Sequence, residues 1–171
     1  MTEKLKKIHK NYIQLMLCVI LILAGLIFIH IYKDKQHHEK KEIVNPVTCT
    51  IEIRCDSVLD NRKLLSNPGL KKYIPDDGVI LPPTMVVVEK GQSVYDVLKK
   101  ITYEKEIQME SQLSTAFQSQ YVQGLNHLYE KNFGQYSGWL YYINDKMPDY
   151  GCSEQIVEEN DKILWEYTCG E

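Results

Sequence analysis

The feature that most constrains this chain is the uncharged run from Asn11 to Tyr32, whose centre, Leu15 to Ile29, is Leu, Ile, Val, Met and Phe broken only by Cys18, Ala24 and Gly25. The twenty-one residues from Tyr12 to Tyr32, at ~1.5 Å each in a helix, reach across the ~30 Å hydrocarbon core of a bilayer. Tyr12 and Tyr32 stand at its two ends, where amphipathic rings prefer the headgroup layer, and Lys4, Lys6, Lys7 and Lys10 precede it. The pattern predicts a single N-terminal transmembrane helix over 11–32 behind a cytoplasmic stub at 1–10. A cleaved signal peptide is the competing reading, but such apolar regions are shorter and end in a small-x-small site, and Phe28 to Lys33 offers none. A lipoprotein fits less well, because Cys18 follows Leu15, Met16 and Leu17 early in the run.

Lysines do not orient this helix, since four lie in residues 1–10 and four between Lys33 and Lys41. The cysteines do. Cys49, Cys55, Cys152 and Cys169 all follow the run, and an even set of four suits a disulfide-bonded exterior domain. Reduced thiols or a zinc site are the alternatives, yet the spacings Cys49-x5-Cys55 and Cys152-x16-Cys169 lack the short knuckle of a tetrahedral site. The body, 47–171, is therefore expected outside the cell membrane after a polar linker at 33–46. His37 and His38 in that linker are adjacent and without a third ligand, and read as bystanders to metal chemistry.

Charge divides the chain in the same place. Residues 1–42 carry eight lysines against four carboxylates, whereas residues 43–171 carry twelve Lys and Arg against nineteen Asp and Glu, a net −7. An acidic body with no basic stripe lacks what a phosphate backbone demands, which argues against a nucleic-acid partner. At 171 residues, 44% hydrophobic and 25% charged, the composition is that of an ordinary globular domain.

From Val47 to Asp56, Cys49, Ile51, Ile53 and Cys55 alternate with Thr50, Glu52 and Arg54, the period of a strand with one buried face. Ser57 to Pro83, punctuated by Asn67-Pro68-Gly69, Pro75-Asp76-Asp77-Gly78 and Pro82-Pro83, predicts a long loop or set of turns. Leu81-Pro82-Pro83-Thr84 is not a wall-sorting signal, since Met85 follows it and no hydrophobic tail ends the chain. Thr84 to Glu89 predicts a second strand, and Lys90-Gly91 leads to Ser93, an N-cap before the stripe Val94, Val97, Leu98, Ile101. Met109 to Phe133 is more weakly patterned and predicts one or two strands joined near Gly124. Ser137 to Asn144 and Ile163 to Cys169 predict two aromatic strands around a Pro/Gly corner, the last with Ile163, Trp165, Tyr167 and Cys169 on one face.

This order is that of an α+β fold: a β-grasp-like mixed sheet with one packed helix, first and last strands side by side. If those strands run parallel, Cys55 and Cys169 fall at the same end on matching faces. That favours Cys55 with Cys169 and Cys49 with Cys152 among the three connectivities four cysteines permit.

The segment Ser137-Gly138-Trp139-Leu140-Tyr141-Tyr142-Ile143-Asn144, with Pro148-Asp149-Tyr150-Gly151-Cys152-Ser153 and Asp161-Lys162-Ile163-Leu164-Trp165-Glu166-Tyr167-Thr168, resembles the transcobalamin-like C-terminal domain family, a bacterial domain largely of unknown function. Val47 to Asp60, Ile80-Leu81-Pro82-Pro83-Thr84 and Gly91 to Leu98 are similar to it too, so the resemblance runs from about Thr48 to Cys169. Where the family has Asn-Gly and Gly-Asp turns, this chain has Asn144-Asp145 and Asn160-Asp161. The resemblance implies a β-rich module which, in animal cobalamin carriers, closes over one face of a corrinoid held by a separate helical barrel. Residues 47–171 leave no room for a barrel, so enclosing a ligand that large implies a partner, such as a second surface protein or transporter component. It carries the ligand-facing strand onto Trp139, Leu140 and Tyr141. Core packing is the competing role for Trp139, and still more for Trp165.

Catalysis finds little footing. His127 is the sole histidine of the body and has no motif around it, and the pairs Asp76-Asp77 and Glu158-Glu159 are sequence neighbours in polar stretches. No phosphate-binding G-x-x-x-x-G-K loop occurs. The expectation is a non-enzymatic, membrane-anchored extracellular binding module that requires no cofactor or metal. Its ligand is cobalamin or another corrinoid; the alternative is a cell-surface adhesion or scaffold module without a small-molecule ligand. A hydrolase joining Ser57–Pro83 to His127 is the least favoured reading.

Overall fold

The computed structural model describes residues 16, 19–27, 43–116 and 118–169. The expected stub 1–10, most of the expected anchor and linker residues 33–42 lie outside the described residues. Residues 19–27 are helical, with Leu21 and Ile22 among their exposed side chains. Among the described residues no helix is long and apolar enough to cross a membrane. The chain divides into two units, Met1–Glu42 and Ile43–Glu171; the second contains every sheet.

In that unit β1 (Pro46–Arg54) leads through α1 (Ser57–Asp60) and two 3-10 turns (Arg62–Leu64, Pro68–Tyr73) to β2 (Val79–Glu89). Then come α2 (Val94–Glu104), β3 (Met109–Ser114), β4 (Ser119–Leu125), β5 (Leu128–Tyr129), β6 (Gly138–Ile143) and β7 (Lys162–Thr168). Four strands form a mixed sheet ordered β2-β1-β7-β6, and β3-β4-β5 form a second, antiparallel one. The fold is α+β, and the first and last strands are neighbours: β1 runs parallel to β7, with Ile51 opposite Ile163 and Ile53 opposite Trp165.

The alternation read in β1 and β7 is the core. Cys49, Ile51, Ile53 and Cys55 are buried on one face with Ile163, Trp165 and Tyr167, while Thr50, Glu52 and Arg54 are half-buried on the other. Helix α2 buries Val94, Val97, Leu98 and Ile101 in the same core. It starts where Ser93 predicts. The Ser93 hydroxyl accepts from the Asp96 N–H at 3.2 Å, and the Asp96 carboxylate accepts from the Ser93 N–H at 2.9 Å, so two N–H groups at the helix end are satisfied reciprocally.

Two sequence expectations change. The stretch expected as a loop to Pro83 already holds α1, both 3-10 turns and the first half of β2. Pro82 and Pro83 are tolerated because β2 is an edge strand and its register slips there: Ile51 faces Thr84 but Ile53 faces Leu81. Residues 109–129 form three strands, not one or two, and Gly124 lies inside β4 with the Tyr129 ring packed over it. The β4–β5 turn is Asn126-His127, both at positive φ (49° and 64°), and Asn144-Asp145 likewise sit at 50° and 65°. Asn and Asp tolerate this region better than most residues, so the turn after β6 forms without a glycine.

The four cysteines of the body are free thiols in the structure, so the expected Cys55–Cys169 and Cys49–Cys152 bonds are not formed in it. Cys55 and Cys169 are neighbours close enough to feel each other's charge. Cys49 and Cys152 have different surroundings: one thiol faces the Val86 carbonyl at 3.8 Å, the other donates to the Gln120 carbonyl at 3.2 Å.

Candidate functional site

Trp139, Leu140 and Tyr141, the residues singled out on β6, line one open groove of about 290 Å³. Trp165 of β7, Ser114 of β3, residues 119–122 of β4 and the corner Met147–Cys152 also line it. The groove thus lies between the two sheets, on the edge strand β6, and the Pro/Gly corner forms its outer wall.

The aromatic floor is held by hydrogen bonds and ring contacts. Trp139 is 5% exposed, and its Nε1–H donates to the Leu128 carbonyl at 2.8 Å. Its ring meets Tyr167 edge to face, 5.2 Å between centroids at 78°. The Tyr167 hydroxyl in turn donates to the Tyr129 carbonyl at 2.7 Å. Core packing and groove lining are therefore both true of Trp139: it fastens β6 to β5 and shows only a margin of its ring. Tyr141 is half-buried, stacks on Trp165 at 5.4 Å and 29°, and donates to the main-chain carbonyl of Tyr150. That bond ties β6 to the corner, leaving the Tyr150 side chain 65% exposed beside Met147 at 55%.

The corner is seated against β4 by small residues. Gly151 lies so close to Ser119 that an added Cβ would stand 2.0 Å from its Oγ. Ser119 and Ser153 share a hydroxyl–hydroxyl hydrogen bond of 2.8 Å, and Ser153 Oγ accepts from the Gln120 N–H at 3.0 Å. Burial pushes the Tyr141 phenol up to about 12 and the Cys152 thiol to about 11. Both are protonated at neutral pH, so Tyr141 is a donor and Cys152 is not a thiolate nucleophile. Among the described residues no Lys, Arg or His lines the groove.

Trp165 is 2% exposed, which agrees with the packing role expected of it, yet it is also one of the residues that line the groove, and among the described residues its Nε1–H has no hydrogen-bond partner. Sequence reasoning missed this second role, as it missed Ser119, Gln120 and the corner. The signal available for the corner was Gly151 itself, a glycine where two segments nearly touch. For Trp165 there was none, because an aromatic on the buried face of a strand reads the same whether or not its N–H is satisfied.

The remaining candidates lie elsewhere. His127 sits in the β4–β5 turn with its ring 3.9 Å from that of Tyr73. Glu159 accepts from the Thr48 N–H at 2.7 Å and Asp77 from the Val79 N–H at 3.1 Å, so both act as turn and strand-end acceptors. Among the described residues no group of three or more His, Cys, Asp or Glu could hold a metal ion.

Residues 91–169 match the family described as "Domain of unknown function (DUF4430)". No curated protein matches the chain by sequence. Among solved structures, the chain is similar to haptocorrin in complex with Cbi, at TM-score 0.55 and 11% identity over 76% of this chain. It spans only 27% of the haptocorrin chain. A candidate metal-binding protein from Ruminococcus gnavus ATCC 29149 overlaps more loosely, at TM-score 0.41 and 10% identity over 75% of this chain and 100% of its own. At these identities the likeness is one of fold alone: this body shares its fold with part of the haptocorrin chain.

Proposed function

We propose that this chain is a membrane-anchored extracellular module, β-grasp-like in its sheet, that binds part of a corrinoid together with a partner. The observation that carries the reading is the groove: Trp139, Leu140 and Tyr141 line a concave, mostly apolar surface with few polar groups, the usual character of a small-molecule site. The fold likeness to haptocorrin, whose structure was solved with Cbi, supports it. At about 290 Å³ the groove sits at the lower end of ligand-site volumes, roughly 300–1,000 Å³. A ligand of corrinoid size would place one edge in it and leave its other face for a partner. The apolar run Asn11–Tyr32 supports the anchor, and alkaline carbonate extraction of cells making the full chain checks it: the protein stays in the membrane pellet. Outside the cell, Cys55 and Cys169 are the neighbouring thiols suited to a disulfide, which peptide mapping of the oxidised protein reads directly.

The test of ligand binding is calorimetric titration of residues 43–171, a compact unit with its own core, against cobalamin and cobinamide. Trp139→Ala is a poor control, because Trp139 holds β6 to β5; Tyr150→Ala, at an exposed side chain on the outer wall, is the better one. Micromolar or tighter binding weakened in Tyr150→Ala supports the reading, and absence of heat from the folded domain with both corrinoids overturns it. A second reading, adhesion to another surface protein, is favoured by exposed Met147 and Tyr150 beside the groove. It predicts capture of a protein partner that Tyr150→Ala abolishes and that corrinoids leave unchanged.

A further inference from the structure

The two edges of the four-stranded sheet are built differently. At one, β2 carries Pro82 and Pro83, and Lys100 Nζ donates to the Val87 carbonyl at 2.8 Å, devices that keep other strands off an edge. At the other, β6 has neither a charge nor a proline. The Asn144 N–H donates to the Lys162 carbonyl at 2.9 Å, so by antiparallel alternation Tyr142, Leu140 and Gly138 bond to β7, while Ile143, Tyr141 and Trp139 turn their N–H and C=O groups away from it. Ile143 uses both of its groups on Lys146, at 2.9 and 3.0 Å, across the Asn144-Asp145 turn. Continuing that hairpin would pair Tyr141 with Pro148 and Trp139 with Tyr150. Pro148 has no N–H, and the chain bends at 149–150, where the Tyr141 hydroxyl takes the Tyr150 carbonyl. Among the described residues nothing pairs with the outward main-chain groups of Tyr141 and Trp139. The groove runs along this edge. Trp139 and Tyr141 share one face of β6 and Leu140 lies on the other, yet all three line the groove, and what consecutive strand residues present in common is their main-chain edge.

We propose that an extended segment of a partner protein adds to β6 as the next strand of this sheet, its main chain exchanging hydrogen bonds with Trp139 and Tyr141. Side chains of the segment that stand opposite Trp139 and Tyr141 point into the apolar groove, so small apolar residues fit at every second position. Among the described residues Asp149 lines the groove with no cation beside it, and residues 43–171 are net −7, so the segment is neutral or basic. This rests on the groove as a binding site, in common with the reading above, and specifies how a protein occupies it; it does not rest on the ligand being a corrinoid.

The probe is the peptide acetyl-Lys-Val-Thr-Val-Thr-Lys-amide, made also in two forms that are N-methylated at both valines or at both threonines. Each is titrated into 15N-labelled residues 43–171. In the free domain the main-chain amides of Trp139 and Tyr141 are expected to exchange with solvent quickly and those of Leu140 and Tyr142 slowly. The parent peptide is expected to slow the exchange of Trp139 and Tyr141 and to move their amide resonances downfield, while the amides of β2 stay in place. Methylating the valines removes the donors that face β6 and is expected to weaken binding by about tenfold or more, the worth of two hydrogen bonds, whereas methylating the threonines, which face away, leaves affinity within about threefold. Equal loss from the two methylated forms overturns the proposal, as does slow exchange of Trp139 and Tyr141 in the free domain or no binding of the parent peptide to the folded domain. Protection of that pair that grows with protein concentration in the absence of peptide assigns the edge to a second copy of the chain and overturns it as well. Corrinoid titration is read separately: peptide addition without corrinoid binding leaves this inference standing, and corrinoid binding without peptide addition removes this inference alone.

Discussion

Gly151 and Ser119 meet so closely that no side chain fits between them, since an added Cβ would lie 2.0 Å from Ser119 Oγ and 2.2 Å from its Cβ. The contact decides where the outer wall of the groove stands. Gly151→Ala is expected to push the 147–152 corner off β4 and to destabilise the domain by about 1–3 kcal/mol, the usual cost of overpacking a close contact; urea denaturation of residues 43–171 measures it. The same variant is expected to displace the outer wall of the groove, so corrinoid affinity falls with it. Ser119→Ala is milder, because it removes the hydroxyl shared with Ser153 but adds no atom at the contact with Gly151. Trp139 and Trp165 make the related point that two indoles on neighbouring strands can differ completely in hydrogen bonding.

At the level of elements, α2 is the part most directly written in the sequence. Its apolar stripe faces the core, and its start is set by the reciprocal bonds between Ser93 and Asp96. Its first turn is also pinned from outside, as the N–H groups of Val94 and Tyr95 donate to the carbonyls of Gln155 and Cys152, both at 2.9 Å. Ser93→Ala is expected to cost about 1 kcal/mol, typical of losing a cap, and Ser93→Asp, which keeps an acceptor at the cap, to recover part of it. Thermal unfolding of the two variants checks the order. Since Cys152 ends the groove wall and receives the Tyr95 N–H, a frayed α2 start is expected to loosen the groove as well. Strand β2 shows the opposite case: Pro82 and Pro83 look like loop residues, yet they sit in a strand because that strand is an edge and its ladder slips where they fall.

For the domain as a whole, burial of titratable groups gives a pH dependence of definite sign. The Cys49, Cys55 and Cys152 thiols are pushed from 9.0 up to about 11, 12 and 11, and the Tyr141 and Tyr167 phenols from 10.0 up to about 12, in each case chiefly by burial. A raised pKa means the folded state favours the protonated form. The contribution is complete below the unfolded values and is lost as pH rises from about 9 towards 12. The urea midpoint of residues 43–171 is therefore expected to be flat with respect to these groups up to about pH 8 and to fall steadily above pH 9. Prior oxidation of Cys55 with Cys169 would remove those two thiols from the alkaline loss, and comparison of the two forms isolates their share.

The sequence by itself determined the periodic parts: the buried faces of β1 and β7, the stripe and start of α2, the aromatic strand β6 and the division between basic stub and acidic body. These are readable because periods of 2.0 and 3.6 residues report directly which side chains leave water. Tertiary structure alone decided the rest. Residues 109–129 alternate weakly because their sheet is largely exposed on one side, with Leu113 and Tyr121 left outside, and the Asn126-His127 turn that folds β4 onto β5 lacks the glycine that would announce it. The groove, likewise, is a product of assembly. Trp139, Leu140 and Tyr141 carry no local sign of what faces them; β4 and the 147–152 corner arrive from elsewhere in the chain, and whether an indole N–H finds a partner depends on atoms many residues away.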